Sequence, residues 1–257
     1  MTFEELLEKI EVAPSTNLED AIGESFELFK NTWMYGLVHY VMFMALGFIL
    51  YFAVLIPVFS VGFYNMDTNN LENISDALLA GGAVYGIFLF IFLFWLYATV
   101  TIGLNRMFHQ VKCGKKAKFG EMFYFFKPKY ILKTFAISFI FLFIVTIGFA
   151  LLFFPGLYCV AYLGQVRVVY ALNPDLSIGE IMKVGYKLTN KNALALIITD
   201  ILSFLGCQFA GAVTCGMGNM FVNGLMYLPA YVVYARTVGV EHIFDSEFNI
   251  DSIGNNI

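Results

Sequence analysis

Charge is scarce in this sequence. Only 13% of its 257 residues are Asp, Glu, Lys or Arg, about half the share of an ordinary soluble domain. A water-soluble fold covers itself with such residues, so the shortage excludes that class. Histidine is rarer still: His39, His109 and His242 are scattered, which leaves no grouping for a haem or a di-metal centre. Four cysteines, at 113, 159, 207 and 215, show no metal-ligand or disulfide spacing, and three of them fall inside apolar runs that suit packing. The Gly-x-Ser-x-Gly elbow, the Gly-rich phosphate loop and the His-Glu-x-x-His pair are all missing. No catalytic residue, metal site or cofactor is therefore expected, and the chain reads as a non-enzyme.

Basic residues are also missing from particular places. The stretches 65–77, around 155, and 215–219 hold no Lys or Arg, and all fifteen basic residues lie in the alternate segments or at the helix ends that meet them. By the positive-inside rule this places 1–32, 105–130, 174–192 and 240–257 in the cytoplasm. The N-terminus, Met1-Thr-Phe-Glu-Glu-Leu-Leu-Glu-Lys9, is acidic and leads into no short apolar stretch with a cleavage site. It reads as a retained cytoplasmic end rather than a signal or transit peptide. The Asn73-Ile-Ser75 sequon matters only in a eukaryotic secretory membrane.

What is abundant is apolar and aromatic: 60% hydrophobic residues, with 29 Phe and 15 Tyr. A spanning helix takes about 20 apolar residues. The runs predict about six spans, near 33–64, 78–104, 131–153, 157–173, 193–214 and 220–239. The first is interrupted by Pro57, and aromatic belts at Trp33/Tyr35 and Phe63/Tyr64 flank it. Phe154-Pro155-Gly156 and Asn173-Pro174 read as turns. The expected fold is all-α and polytopic. It divides into a cytoplasmic or interfacial amphipathic segment (1–32), a six-helix transmembrane domain (33–239) and a cytoplasmic polar tail (240–257).

Three cytoplasmic segments resemble one another: Ile22-Gly-Glu24 through Lys30, Phe119-Gly-Glu121 through Lys127, and Ile178-Gly-Glu180 through Lys187. Each carries one apolar stripe at helical spacing, the pattern of a helix lying in the headgroup plane. Each precedes a pair of spans, and an arginine (Arg106, Arg167, Arg236) marks the end of each pair. The predicted layout is three hairpins, each preceded by an interfacial helix. Ser177 and Glu180 have capping-box spacing at the start of the third copy.

From Phe154-Pro-Gly156 through Asn173-Pro174 to Tyr186-Lys-Leu-Thr-Asn-Lys-Asn192, the chain resembles a broad group of uncharacterised bacterial polytopic membrane proteins. That group includes the membrane domain found beside glycerophosphoryl-diester phosphodiesterases. The likeness is one of layout and is best over residues 150–240, with Gly185-Tyr186 where the group often has Ser-Trp. It implies a six-helix integral membrane protein of the bacterial inner membrane with no chemistry of its own.

Polar residues inside spans are costly and mark candidate sites. Five qualify here: His39, Arg167, Asp200, Gln208 and Asn223. A structural hydrogen bond is the favoured account of His39. Gln208 and Asn223 flank Gly206, Gly211, Gly216 and Gly218, where helices pack closely through small residues and interhelical hydrogen bonds. Arg167 and Asp200 lie about 9 and 12 Å deep on the cytoplasmic side, which predicts an ion pair between them. Arg106, Lys112, Lys115, Lys116, Lys118 and Arg236 are candidates to meet lipid headgroups. The basic stretch is too short and too hemmed by apolar helices for nucleic acid. Expected partners are membrane lipids and other membrane proteins. A scaffold or accessory subunit is the leading functional expectation, and a transporter or flippase-like protein for a hydrophobic molecule is the alternative.

Overall fold

The structure is a computed structural model. It describes the backbone of residues 1–68, 71–151 and 153–239, and the side chains within those ranges except at 54, 57–81, 83, 153 and 154. The tail from 240 onward, with His242, and the labelling position Asn70 lie outside the described residues.

All elements described are helical: α1 (Phe3–Val12), α2 (Leu18–Thr68), α3 (Leu71–Lys112), the 3-10 helix η1 (Phe119–Phe126), α4 (Pro128–Leu151), α5 (Phe153–Leu172), α6 (Ile178–Val213), α7 (Met217–Val222), the 3-10 helix η2 (Asn223–Tyr227) and α8 (Leu228–Val238). Four of them hold stretches long and apolar enough to cross a membrane: Leu18–Ala53, Val84–Lys112, Pro128–Leu151 and Ile178–Val213. The described residues are thus all-α, with four helices long and apolar enough to cross a membrane, against the six spans expected.

Several boundaries differ from the expectation. The sixth span, read from sequence as one helix over 220–239, is broken into α7, η2 and α8. Gly216 and Cys215 carry positive φ just before it, and Gly-rich sequence on both sides weakens a continuous helix. The first repeat copy is no separate helix, because α2 runs unbroken from Leu18 past Ile22–Lys30 and through Pro57 to Thr68. The polar residues 65–68 and 71–77 prolong α2 and α3 rather than forming a loop. Pro155 and Gly156 fall inside α5, so the turn expected at 154–156 does not form there. The second copy does stand apart as η1, and the third is set off from its span by a break at Asn192 (φ −121°, ψ 21°). The Ser177–Glu180 capping box forms as predicted.

The core is built around α5 and α8. Val166, Val168, Val169, Tyr170, Tyr231, Val232 and Val233 are all buried. Around this post the helices approach through glycine. A methyl on Gly36 of α2 would stand 2.5 Å from Gly224 Cα in η2, and one on Gly103 of α3 would stand 2.3 Å from the Met122 carbonyl oxygen in η1. The N-terminal helix α1 is tied to the protein, not free to float in a headgroup layer. Its Leu6 and Ile10 are buried, the Lys191 ammonium donates to the carbonyls of Ile10 and Glu11, and Asn192 Oδ1 accepts from Thr16 N at 2.7 Å.

Candidate functional site

Two polar zones stand out. The first lies inside the apolar part of the bundle, where the broken helix passes α2, α3 and α5. His39 of α2 is buried and its Nε2 lies 3.0 Å from Thr101 Oγ1. Thr101 already donates its hydroxyl to the Tyr97 carbonyl at 2.7 Å. Thr101 Oγ1 must therefore accept, His39 Nε2 carries the proton, and Nδ1 is left as an acceptor with no partner among the described residues. Tyr97 and Tyr227 share a hydroxyl–hydroxyl hydrogen bond of 2.6 Å. The Tyr227 ring is flanked by His39, 5.3 Å between centroids, and by the Arg167 guanidinium at 5.7 Å.

Three of the five intramembrane candidates meet in this zone. His39 and Arg167 both touch Tyr227, and Asn223 opens the short 3-10 turn that Tyr227 closes. No hydrogen bond or ion pair joins Arg167 to Asp200 among the described residues, so the expected direct pair does not form here. Arg167 instead stands over the Tyr227 ring, whose quadrupole takes part of the charge. Gln208 is exposed on α6 and apart from this zone. Sequence reading missed Tyr97, Thr101 and Tyr227, which look like ordinary span residues. The only available signal was that Tyr97 and Thr101 are one helical turn apart.

The second zone is a ring of ion pairs. Arg236 of α8 reaches Asp20 and Glu24 of α2, each at 2.7 Å. Glu24 also takes Lys112 of α3 at 3.1 Å. Arg106 bonds Glu121 of η1 at 2.9 Å, Lys129 bonds Asp175 at 2.9 Å, and Lys187 bonds Glu11 at 2.7 Å. Arg106 corrects a prediction. Its side chain is only 3% exposed, it lies 3.8 Å over the Tyr124 ring, and Nη1 donates to the Ala171 carbonyl at 3.3 Å. It therefore does not extend to a headgroup layer. Lys112 and Arg236 likewise engage acids of their own chain. Lys115, Lys116 and Lys118 have exposed side chains between α3 and η1. Outside the spans, the Lys187 ammonium holds the Glu11 carboxyl below its usual value of 4.5.

Every residue of this ring falls in the segments 1–32, 105–130, 174–192 or the end of α8. Those are the segments that the charge pattern assigns to one side. Buried staples reinforce the same region. His39 apart, these include His109 Nδ1 to the Tyr231 hydroxyl at 3.0 Å, Asn173 Nδ2 to the Tyr234 hydroxyl at 2.9 Å, and Gln165 Nε2 to the Ala230 carbonyl at 2.9 Å. These hydrogen bonds and ion pairs join different helices to one another. No group of three or more metal-ligating side chains occurs among the described residues. Compared with protein-family models, curated proteins and solved structures, the chain gives no match.

Proposed function

We propose that this chain is a non-enzymatic multi-pass protein of the bacterial inner membrane, with both termini cytoplasmic, that serves as a scaffold or accessory subunit of a membrane complex. The observation carrying this reading is the ring of ion pairs. It gathers four sequence-distant segments at one end and spends their charges on each other, which gives a rigid polar rim. The long α2–α3 pair supports it from the other side. Phe48, Phe52, Ile87, Phe88 and Phe90 face outward along this pair, an apolar surface that needs lipid or another membrane protein to cover it. The resemblance to the membrane domain beside phosphodiesterases fits a chain that positions others and leaves chemistry to them.

A transporter of a hydrophobic molecule is the second reading. The helix break at Asn223–Tyr227 beside His39 and Arg167 favours it, since discontinuous helices at membrane depth often form binding sites. Affinity purification in mild detergent with mass spectrometry separates the two. A scaffold brings down the same partner proteins in repeated preparations, and recovery of the chain alone would count against it. Orientation is tested with single cysteines at Asn70 and Lys116 in a background lacking the native four. An impermeant reagent applied to intact cells should label Asn70→Cys only, and labelling of Lys116→Cys alone would overturn the topology.

A further inference from the structure

We infer that the groove between α2, α3 and η1 binds one acyl chain of an anionic phospholipid whose headgroup sits on the basic turn 115–118. This rests on the membrane reading above and gives it a defined lipid site.

The groove measures about 370 Å³ and is lined only by apolar side chains, among them Met42, Leu46 and Ile49 of α2, Leu96 and Val100 of α3, and Phe123 of η1. Its walls are fixed rather than incidental. η1 lies directly on Gly103, where a methyl would collide with Met122 backbone atoms, so η1 is held against α3 one turn above Val100. Phe126 is braced by Trp95 at 5.7 Å and by Phe123 at 6.0 Å.

The α2 wall of the groove runs back along the helix from Met42 to Tyr35. Tyr35 donates its hydroxyl to the Ala117 carbonyl at 3.4 Å, and its ring meets Phe119 at 5.5 Å. Tyr35 thus pins the basic turn to α2. Met42, Leu46 and Ile49 follow Tyr35 at seven, eleven and fourteen residues, one stripe of a helix. From Tyr35 the stripe runs about 10 Å to Met42 and about 21 Å to Ile49, a length suited to a fatty acyl chain. At its head, residues 115–118 hold three lysines and no acid, with exposed side chains, while Lys112 beside them is taken by Glu24. An apolar slot whose α2 wall runs back toward this basic turn complements a molecule that is apolar at one end and anionic at the other. A zwitterionic lipid would satisfy only the slot.

The test uses the full chain, purified in mild detergent and exposed to equal amounts of phosphatidylglycerol and phosphatidylcholine, with bound lipid read by native mass spectrometry. The wild type should retain one phosphatidylglycerol in preference to phosphatidylcholine. Ala45→Trp, which fills the groove, should abolish retention, and Ile49→Trp provides the same test if the first variant does not fold. Lys116→Glu should weaken retention about five-fold or more, at roughly one lysine's worth of attraction to an anionic surface. Lys183→Glu makes the same charge change on exposed α6 surface and should leave retention unchanged. Equal retention of both lipids, indifference to the groove-filling variants, or equal loss in Lys183→Glu would each overturn the inference. Failure of the membrane reading looks different: the chain would then stay in solution without detergent.

Discussion

Replacing Gly36 with alanine tests whether glycine contact, rather than apolar burial, holds α2 to the broken helix. The new methyl would lie 2.5 Å from Gly224 Cα and 2.8 Å from its nitrogen, all of it backbone that no rotamer change can clear. Carbon atoms settle at about 3.5–4.0 Å, so the two segments must part by about 1 Å. His39 lies one turn beyond Gly36, and Tyr227 three residues beyond Gly224. The same movement therefore strains the His39–Tyr227 ring contact at 5.3 Å and the Tyr97–Tyr227 hydrogen bond at 2.6 Å. Overpacking of this kind costs about 1–3 kcal/mol, which for a chain of this size lowers Tm by roughly 2–10 °C. Gly47→Ala, on the same helix with nothing within 4 Å of the added methyl, carries the same gain in helix propensity and should melt at or above wild type. Gly224→Ala should fall between, since its methyl meets Gly36 Cα at 3.1 Å. The assay is thermal unfolding in mild detergent followed by intrinsic fluorescence. Equal melting of Gly36→Ala and Gly47→Ala would refute the reasoning.

Arg106→Leu leaves Glu121 without its partner beside the Tyr124 ring and should cost at least about 3 kcal/mol, as breaking buried pairs does; Arg106→Lys keeps the charge but not the fork that reaches both Glu121 and Ala171, and should recover only part. Monodisperse yield on size exclusion reads this directly, and a wild-type yield for Arg106→Leu would count against a structural role. The docking of α1 should weaken in acid. Because Lys187 lowers the folded-state value of Glu11, this contact is fully present above the ordinary carboxylate value of 4.5 and is lost as pH falls through the lower folded value. Proteolytic release of the N-terminal helix should therefore rise modestly as pH falls below 4.5 and be modestly raised at pH 7 in Lys187→Ala, since this exposed pair adds little to the buried contacts of Leu6 and Ile10; equal protection across these conditions would refute the tie.

Which features were legible follows from what the sequence signals measure. Hydropathy runs marked the membrane class, and the Ser177/Glu180 spacing marked the start of α6 because capping is a local interaction between neighbours. The break at Asn192 was legible for a similar reason: the apolar pattern changes there from one stripe to all-round, and the Asn192 side chain then bonds Leu188, Thr16 and Thr237 instead of continuing the helix. Helix rotation was not legible, because an all-apolar span has no wet face to set its phase. That left Arg167 free to turn to Tyr227 rather than to Asp200. Arg106 escaped for a related reason. An arginine at a helix end reads as a lipid anchor unless Glu121, fifteen residues away, is seen folded back beneath it by η1.

The distribution of contacts bears on how a partner would be chosen. Inside lipid, two apolar helix faces gain little by leaving acyl chains for each other, so association there depends on close backbone approach and hydrogen bonds. This chain uses those devices on itself, at Gly36–Gly224, at Gly103–Met122 and at Gly185, where a methyl would meet Val166 at 2.5 Å. The outward faces of α2 and α3 are instead large and aromatic, with Phe88 71% exposed. Such faces suit lipid and offer broad contact, but they discriminate poorly between partners of similar hydrophobicity. On the scaffold reading proposed above, selection would fall to exposed charges such as Glu4, Glu8, Lys30 and Lys183 in the segments that carry the ion pairs. Charges at that position set orientation and reject wrong partners through unfavourable like-charge contacts. A scaffold built this way would hold its partners by the belt and recognise them by the rim, so charge reversal at Lys30 or Lys183 should alter which proteins co-purify while leaving the fold's own stability nearly unchanged.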